Sequence, residues 1–99
     1  MKPNSIVIVN LQSPGERFFG RLIELSIPGI TMRGIDLNAF DDWIDHIRRD
    51  EENGVRPTTV FFPLHRVEKV ILDEGIGEIP SLSETFLSRV GTSVGHHLE

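Results

Sequence analysis

Not one cysteine occurs among the 99 residues, so the chain has no disulfide framework, no thiolate zinc site and no cysteine nucleophile. Its fold must be held by burial alone, which suits a reducing cytosol. No stretch approaches the roughly 18 consecutive apolar residues of a membrane helix. Met1-Lys2-Pro3-Asn4 leads straight into a strand-like run rather than into a signal peptide's apolar segment. These absences lead us to expect a soluble, cytoplasmic protein. Positive charge is scarce as well: 15 acidic residues against 10 basic give a net charge of −5, the wrong sign for a surface drawn as a whole to phosphate. No glycine-rich loop precedes a helix and no serine or threonine sits in a nucleophile turn. The carboxylates cluster on helix surfaces, as capping and solubility require. Neither an enzyme nor a cofactor is expected. There is no internal repeat and no low-complexity segment.

The length suffices for one hydrophobic core and is too short for two. Ser5 to Leu11 is β-branched and nearly continuously apolar, which reads as a strand, and Ser13-Pro14-Gly15 turns the chain. From Arg17 to Ile27 the apolar residues Phe19, Leu22, Ile23, Leu25 and Ile27 mix with polar ones. Clean alternation begins only at Ile23, and Gly20 marks the point where a long strand bends or bulges. Pro28-Gly29 is a turn, and Ile30, Met32 and Gly34 alternate with Thr31, Arg33 and Ile35, so the second and third strands should form a hairpin.

Asn38 offers a side-chain oxygen to the first amides of a helix, and Asp41 and Asp42 put negative charge where the helix dipole favours it. Phe40, Trp43, Ile44 and Ile47 fall at i, i+3, i+4 and i+7, an apolar stripe opposite Asp42, Asp45, His46 and Arg49. Gly54 should stop the helix and Arg56-Pro57 return the chain to extended form. Thr58 to Phe62 and Glu68 to Leu72 read as two more strands, joined through Pro63 to Val67 by a single helical turn. Further on, Ser81 and Glu84 stand at capping-box spacing. Leu82, Phe86, Leu87 and Val90 then form a short apolar stripe that ends at Gly91. Residues 92–99 lack periodicity and are expected to be mobile. The expected organisation is therefore one domain over residues 1–91, with a helical insert at 38–53 and a flexible tail at 92–99.

The order strand, long bent strand, strand, helix, strand, tight turn, strand resembles the five-stranded Sm-like barrel, with the loop between strands three and four enlarged. Val9, Leu11, Gly15, Phe19, Gly20 and Leu22 match the first Sm motif at its spacing. Val60-Phe61-Phe62-Pro63-Leu64-His65-Arg66-Val67-Glu68-Lys69-Val70-Ile71-Leu72 echoes the second. The resemblance implies a mainly β fold: a strongly bent five-stranded barrel, a helix between strands 3 and 4 and a short C-terminal helix. It also implies a homo-oligomeric ring in which the fourth strand of one subunit pairs with the fifth of the next, satisfying edge amides. The residues add their own support. Val60, Phe61, Phe62, Val70, Ile71 and Leu72 make two short strands apolar on both faces, more than one small barrel interior needs, and a subunit interface would absorb the excess.

The family's uridine-rich RNA pocket is another matter. Counting from Gly20, its acidic, stacking and asparagine positions fall here on Ser26, Pro28 and Ile30, and its basic position after strand four on Pro63. His65 and Arg66 lie nearby and, with Arg33, are the residues left to meet an anion or RNA. The expectation is a binding or scaffolding module that forms a ring, with RNA the first partner to test.

A second resemblance points elsewhere. Arg17 and Arg21, with Glu24-x-Ser26-x-x-Gly29, are similar to the arginines and Asp/Asn-x-Ser-x-x-Gly motif of PilZ cyclic-dinucleotide receptors, although here the arginines lie inside a strand. As plain chemistry, those arginines are solvated strand positions or an anion patch. His46 and Asp42 stand one helical turn apart, but two ligands do not make a metal site, and His96-His97 belong to the tail. The Phe40, Trp43, Ile44 face either packs on its own sheet or docks a partner protein.

Overall fold

A computed structural model describes residues 1–99. Its strands are β1 (Ile6–Leu11), β2 (Glu16–Leu25), β3 (Gly29–Asp36), β4 (Thr58–Pro63) and β5 (Val67–Leu72). They form one antiparallel sheet in the order β4-β3-β2-β1-β5. Helix α1 (Phe40–Arg48) is inserted between β3 and β4, and α2 (Leu82–Val90) and α3 (Val94–His97) follow the sheet. The fold is mainly β.

Each face of the sheet has a core of its own. On one face Phe19 and Ile35 meet Phe40, Trp43 and Ile44 of α1, Phe86 of α2, and Val94 and Leu98 of the C-terminal segment. Three edge-on or tilted ring pairs run through this layer, with Phe40 against Phe19 at 5.4 Å, Trp43 at 6.4 Å and Phe86 at 6.5 Å. The other core contains Val7, Val9, Leu11, Leu22, Ile30 and Met32, joined by Phe18, Val60, Phe62, Val67 and Val70. Every one of those residues belongs to a strand. With no helix on this face, the sheet buries it by curling over itself.

Two measurements show how far the curl goes. Phe18 stands opposite Asp36 and Phe62 opposite Ile30, six residues apart along β3, which is ~20 Å of extended strand. The rings nevertheless meet edge to face with centroids 5.3 Å apart. Further, β4 and β5 are the two outer strands, ~19 Å apart in a flat sheet. They are joined only by a 3₁₀ turn at Leu64–Arg66, and the four peptide steps from Pro63 to Val67 reach at most ~15 Å. A flat sheet cannot accommodate that link.

The bend has a sequence cause. Gly20 and Gly34 are paired across β2 and β3. A Cβ on Gly34 would lie 2.0 Å from the Phe19 carbonyl oxygen, and one on Gly20 would lie 2.2 Å from that of Arg33. Only two facing glycines allow the strands this approach. A register shift between Leu22 and Glu24 adds to the twist.

One expectation holds in part and two need correction. The five-stranded sheet is strongly bent but is not closed within the chain, because β4 and β5 share no ladder. Their linking turn is bonded instead to the β1–β2 turn, where Gln12 N–H donates to the Arg66 carbonyl at 2.8 Å, and Pro63 has no N–H to offer. The insert does not begin with an Asn38 cap. Asp36, still in β3, accepts from the Asn38 N–H at 2.8 Å and opens a 3₁₀ turn at Leu37–Ala39 that runs into α1 without a further side-chain cap. Finally, residues 92–99 are not a loose tail. Val94 and Leu98 are buried in the helix-side core, and Arg21 Nε donates to the Leu98 carbonyl at 3.0 Å. The anchoring is tertiary, so no periodicity announces it. The Ser81–Glu84 capping box and the left-handed Gly91 stop of α2 form as expected.

Candidate assembly edges

In β4 and β5 the alternation of the chain divides the six candidate interface residues. Val60, Phe62 and Val70 turn toward the strand-only core and are half-buried there. Phe61 and Ile71 face the other way, and Leu72, opposite Val7 on the core side of β5, is left uncovered at the strand's end, so that the three have exposures of 50, 39 and 40%. Phe61 stands opposite Thr31, and its ring reaches over Gly29, two residues along β3. A Cβ there would sit 2.7 Å from the Phe61 ring and 2.2 Å from the Phe62 carbonyl oxygen. Leu25, Ile27 and Leu64 extend this apolar exposure around the same corner, where Leu64 N–H donates to the Pro28 carbonyl at 3.0 Å. Both outer strands thus combine unpaired main-chain groups with large exposed apolar side chains, the combination that templates strand addition.

The three candidate anion residues are not brought together. Arg66 is spent within the chain. It donates to the Gln12 and Pro14 carbonyls at 3.3 and 3.1 Å and forms an ion pair with Glu16 at 3.0 Å. It is a clasp between the β1–β2 turn and the β4–β5 turn, reinforced by Gln12 Nε2 donating to the His65 carbonyl at 3.0 Å. The His65 side chain is exposed beside it. Arg33 stands opposite Thr59, ~13 Å of strand away from Pro63, and donates to Thr59 Oγ1 at 3.2 Å and to the Glu99 carbonyl at 2.9 Å.

Of the other candidates, Arg17 is exposed and lines a shallow hollow, and the rest are occupied. Arg21 is held by Asn4 and Leu98, and Ser26 and Gly29 bond to each other in closing the β2–β3 hairpin. The Phe40, Trp43, Ile44 face, read as either core or partner site, is buried against its own sheet and α2. Nothing of it is left for a second protein, because the curled sheet leaves its helix-side face for α1 to cover. His46 does not stand on a solvated face. Its Nδ1 accepts from the Val55 N–H at 2.7 Å and its Nε2 lies 3.4 Å from Glu51, folding the 49–55 loop back on α1. No group of three histidine or carboxylate side chains is placed to hold a metal ion, and no helix is long and apolar enough to cross a membrane.

Two of the four hollows in the surface adjoin candidate residues. A cleft of about 420 Å³ lies between α1 and the start of β4, walled by Trp43, Ile47, Val55 and Pro57 with Arg33 and Arg56 at its polar side. A second hollow of about 310 Å³ adjoins Asn10, Arg17 and Asn38, and there the buried Asn10 Oδ1 has no hydrogen-bond partner.

Sequence reasoning passed over residues 73–80. Ile76 and Ile79 face each other across a tight bridge and are among the most exposed apolar side chains of the chain. Two isoleucines framed by Gly75, Gly77 and Pro80 were the available signal. Compared with known protein families, curated proteins and solved structures, the chain finds no match in any of the three.

Proposed function

We propose that this protein is a self-assembling scaffold in which the outer edge of β4 in one subunit pairs with the outer edge of β5 in the next. One observation carries the reading. The two outer strands are different strands, each with free main-chain groups, and each exposes apolar side chains, Phe61 on one and Ile71 and Leu72 on the other. Two unlike, complementary edges make a head-to-tail contact, which closes into a ring when the rotation per subunit allows and otherwise runs into a filament. The assembly implied by the Sm-like resemblance uses the same pair of strands, and the glycine-bent β2 and the short β4–β5 turn fit it. The net charge of −5 and the separation of Arg33 from His65 and Arg66 favour protein over RNA as the first partner.

Light scattering tests this directly. The wild type should run as a stable multiple of 11.2 kDa at micromolar concentration. Phe61→Asp or Ile71→Asp should give a folded monomer, because each places a charge in the seam while leaving the core untouched. Phe62 and Val70 are the wrong positions for this test, since they also pack on the core. A wild-type monomer at 100 μM, ~10² times a micromolar dissociation constant, would refute the proposal.

A further inference from the structure

The loop after β5 and the cleft before β4 are two features that edge pairing alone leaves unused. In the loop, the Ile76 N–H donates to the Ile79 carbonyl at 2.9 Å and the Ile79 N–H to the Ile76 carbonyl at 3.0 Å. Gly77 supplies the left-handed corner at φ +59°. The stem is clamped on both sides. Asp73 accepts from Leu82 N–H at 2.9 Å, Ser83 N–H at 2.8 Å and Ser83 Oγ at 2.6 Å, and the Ser81–Glu84 box closes the other end. Ile76 and Ile79 are 73 and 70% exposed, with Glu74 and Glu78 beside them. Single exposed apolar residues are ordinary. A rigid pair of them is a knob whose ordering cost has already been met before any partner arrives.

The α1–β4 cleft has the complementary character. Ile47, Val55 and Pro57 give it an apolar wall over the buried Trp43, and Arg33 and Arg56 stand at its polar side. Arg56 donates to the Glu52 carbonyl, leaving further guanidinium N–H groups for a carboxylate. Asp50 and Glu51 also line the cleft, and the Glu51 carboxylate is already engaged by His46 and Arg49.

We infer that the Asp73–Pro80 hairpin of one subunit docks into the α1–β4 cleft of the next, a contact that rests on the edge-pairing reading and fixes its direction. Antiparallel pairing, the more stable form, sets Thr58 of β4 opposite Leu72 of the neighbouring β5 and Pro63 opposite Val67. The hairpin that continues from Leu72 then arrives at Arg56 and Pro57. Its isoleucines meet Ile47, Val55 and Pro57, and Glu78 meets Arg56, since Arg33 is already held by Thr59 and Glu99. Parallel pairing would carry the hairpin to the opposite end of β4, beside Ile27 and Leu64.

Because the chain has no cysteine, introduced pairs report this geometry without background. Glu78→Cys combined with Val55→Cys should give intersubunit disulfides that appear as a ladder in non-reducing electrophoresis. Thr59→Cys combined with Ile71→Cys reports the edge pairing separately. Edge disulfides without hairpin–cleft disulfides would overturn this inference and leave the edge reading standing. A monomeric wild type with neither would end both. A charge swap provides a second measurement. Glu78→Arg should weaken assembly roughly tenfold at low salt, and Arg56→Glu added to it should restore the loss. An unchanged assembly midpoint in Glu78→Arg would also overturn the docking.

Discussion

Asn10 is a polar residue in a strand of valine, isoleucine and leucine, and its replacement by valine should stabilise the fold. It shares the helix-side face of β1 with Ile6 and Ile8, and in register it lies between Arg17 of β2 and Lys69 of β5. Its Oδ1 is enclosed without a hydrogen-bond partner. Turning the amide over would only place the nitrogen in the same position. An enclosed polar atom without a partner costs about 1–3 kcal/mol. A β-branched residue on a strand adds up to ~1 kcal/mol over asparagine. Asn10→Val is therefore expected to raise stability by roughly 1–4 kcal/mol. At ~4–8 °C per kcal/mol for a domain of this size, Tm should rise by at least about 4 °C and by up to about 30 °C. Scanning calorimetry reads the shift, and urea unfolding with an unchanged m value assigns it to the native state. Most substitutions at such a position destabilise, so the sign alone is discriminating. A Tm equal to or below that of the wild type would refute the reasoning, and would mean that Arg17 or Lys69 reaches the amide in solution.

Three further outcomes follow from the packing. Gly34→Ala should cost more than about 3 kcal/mol, because its Cβ would lie 2.0 Å from the Phe19 carbonyl oxygen and 2.7 Å from the Gly20 Cα; a soluble variant with wild-type denaturant midpoint would remove the glycine pair as the cause of the bend. Phe86→Ala should cost about 3–5 kcal/mol, since the ring is buried between Trp43 at 4.8 Å and His97 at 5.2 Å; a loss under 1 kcal/mol in urea would show that α2 is not a working part of the core. Burial, and after it the neighbouring charge of His96, holds the His97 imidazole below its ordinary value of 6.5. The unfolded chain therefore takes up the proton first, so this contribution is complete above pH 6.5 and fades as pH falls toward the folded value. His97→Gln should flatten that part of the Tm-against-pH curve, and a curve parallel to the wild type would contradict the assignment.

The local features were legible because they depend on near neighbours. The β-branched run of β1, the Pro28-Gly29 hairpin, the 3.6-residue stripe of α1, the Ser81–Glu84 box and the helical turn between β4 and β5 each follow from residues a few positions apart, and each appears close to its expected place. Arg33, His65 and Arg66 were harder. They are basic and lie in suggestive stretches, but whether they meet depends on the curl of the sheet, which sends Arg66 to Glu16 and Arg33 to Thr59. The burial of Val94 and Leu98 was not legible either, since a short segment carries no period that distinguishes a docked end from a frayed one.

By itself, then, the sequence determined a mainly β chain of five strands with two helical segments, free of thiol chemistry and poor in positive charge. It also placed surplus apolar side chains on β4 and β5. Only the tertiary structure decided which of those side chains face outward, that the sheet curls without closing, and that the Ile76–Ile79 hairpin and the α1–β4 cleft stand beside opposite edges. The physical reason is range. Caps, turns and periodicity act within about one helical turn or one hairpin, whereas the direction of an edge is set by the summed twist and bend of every strand between β4 and β5.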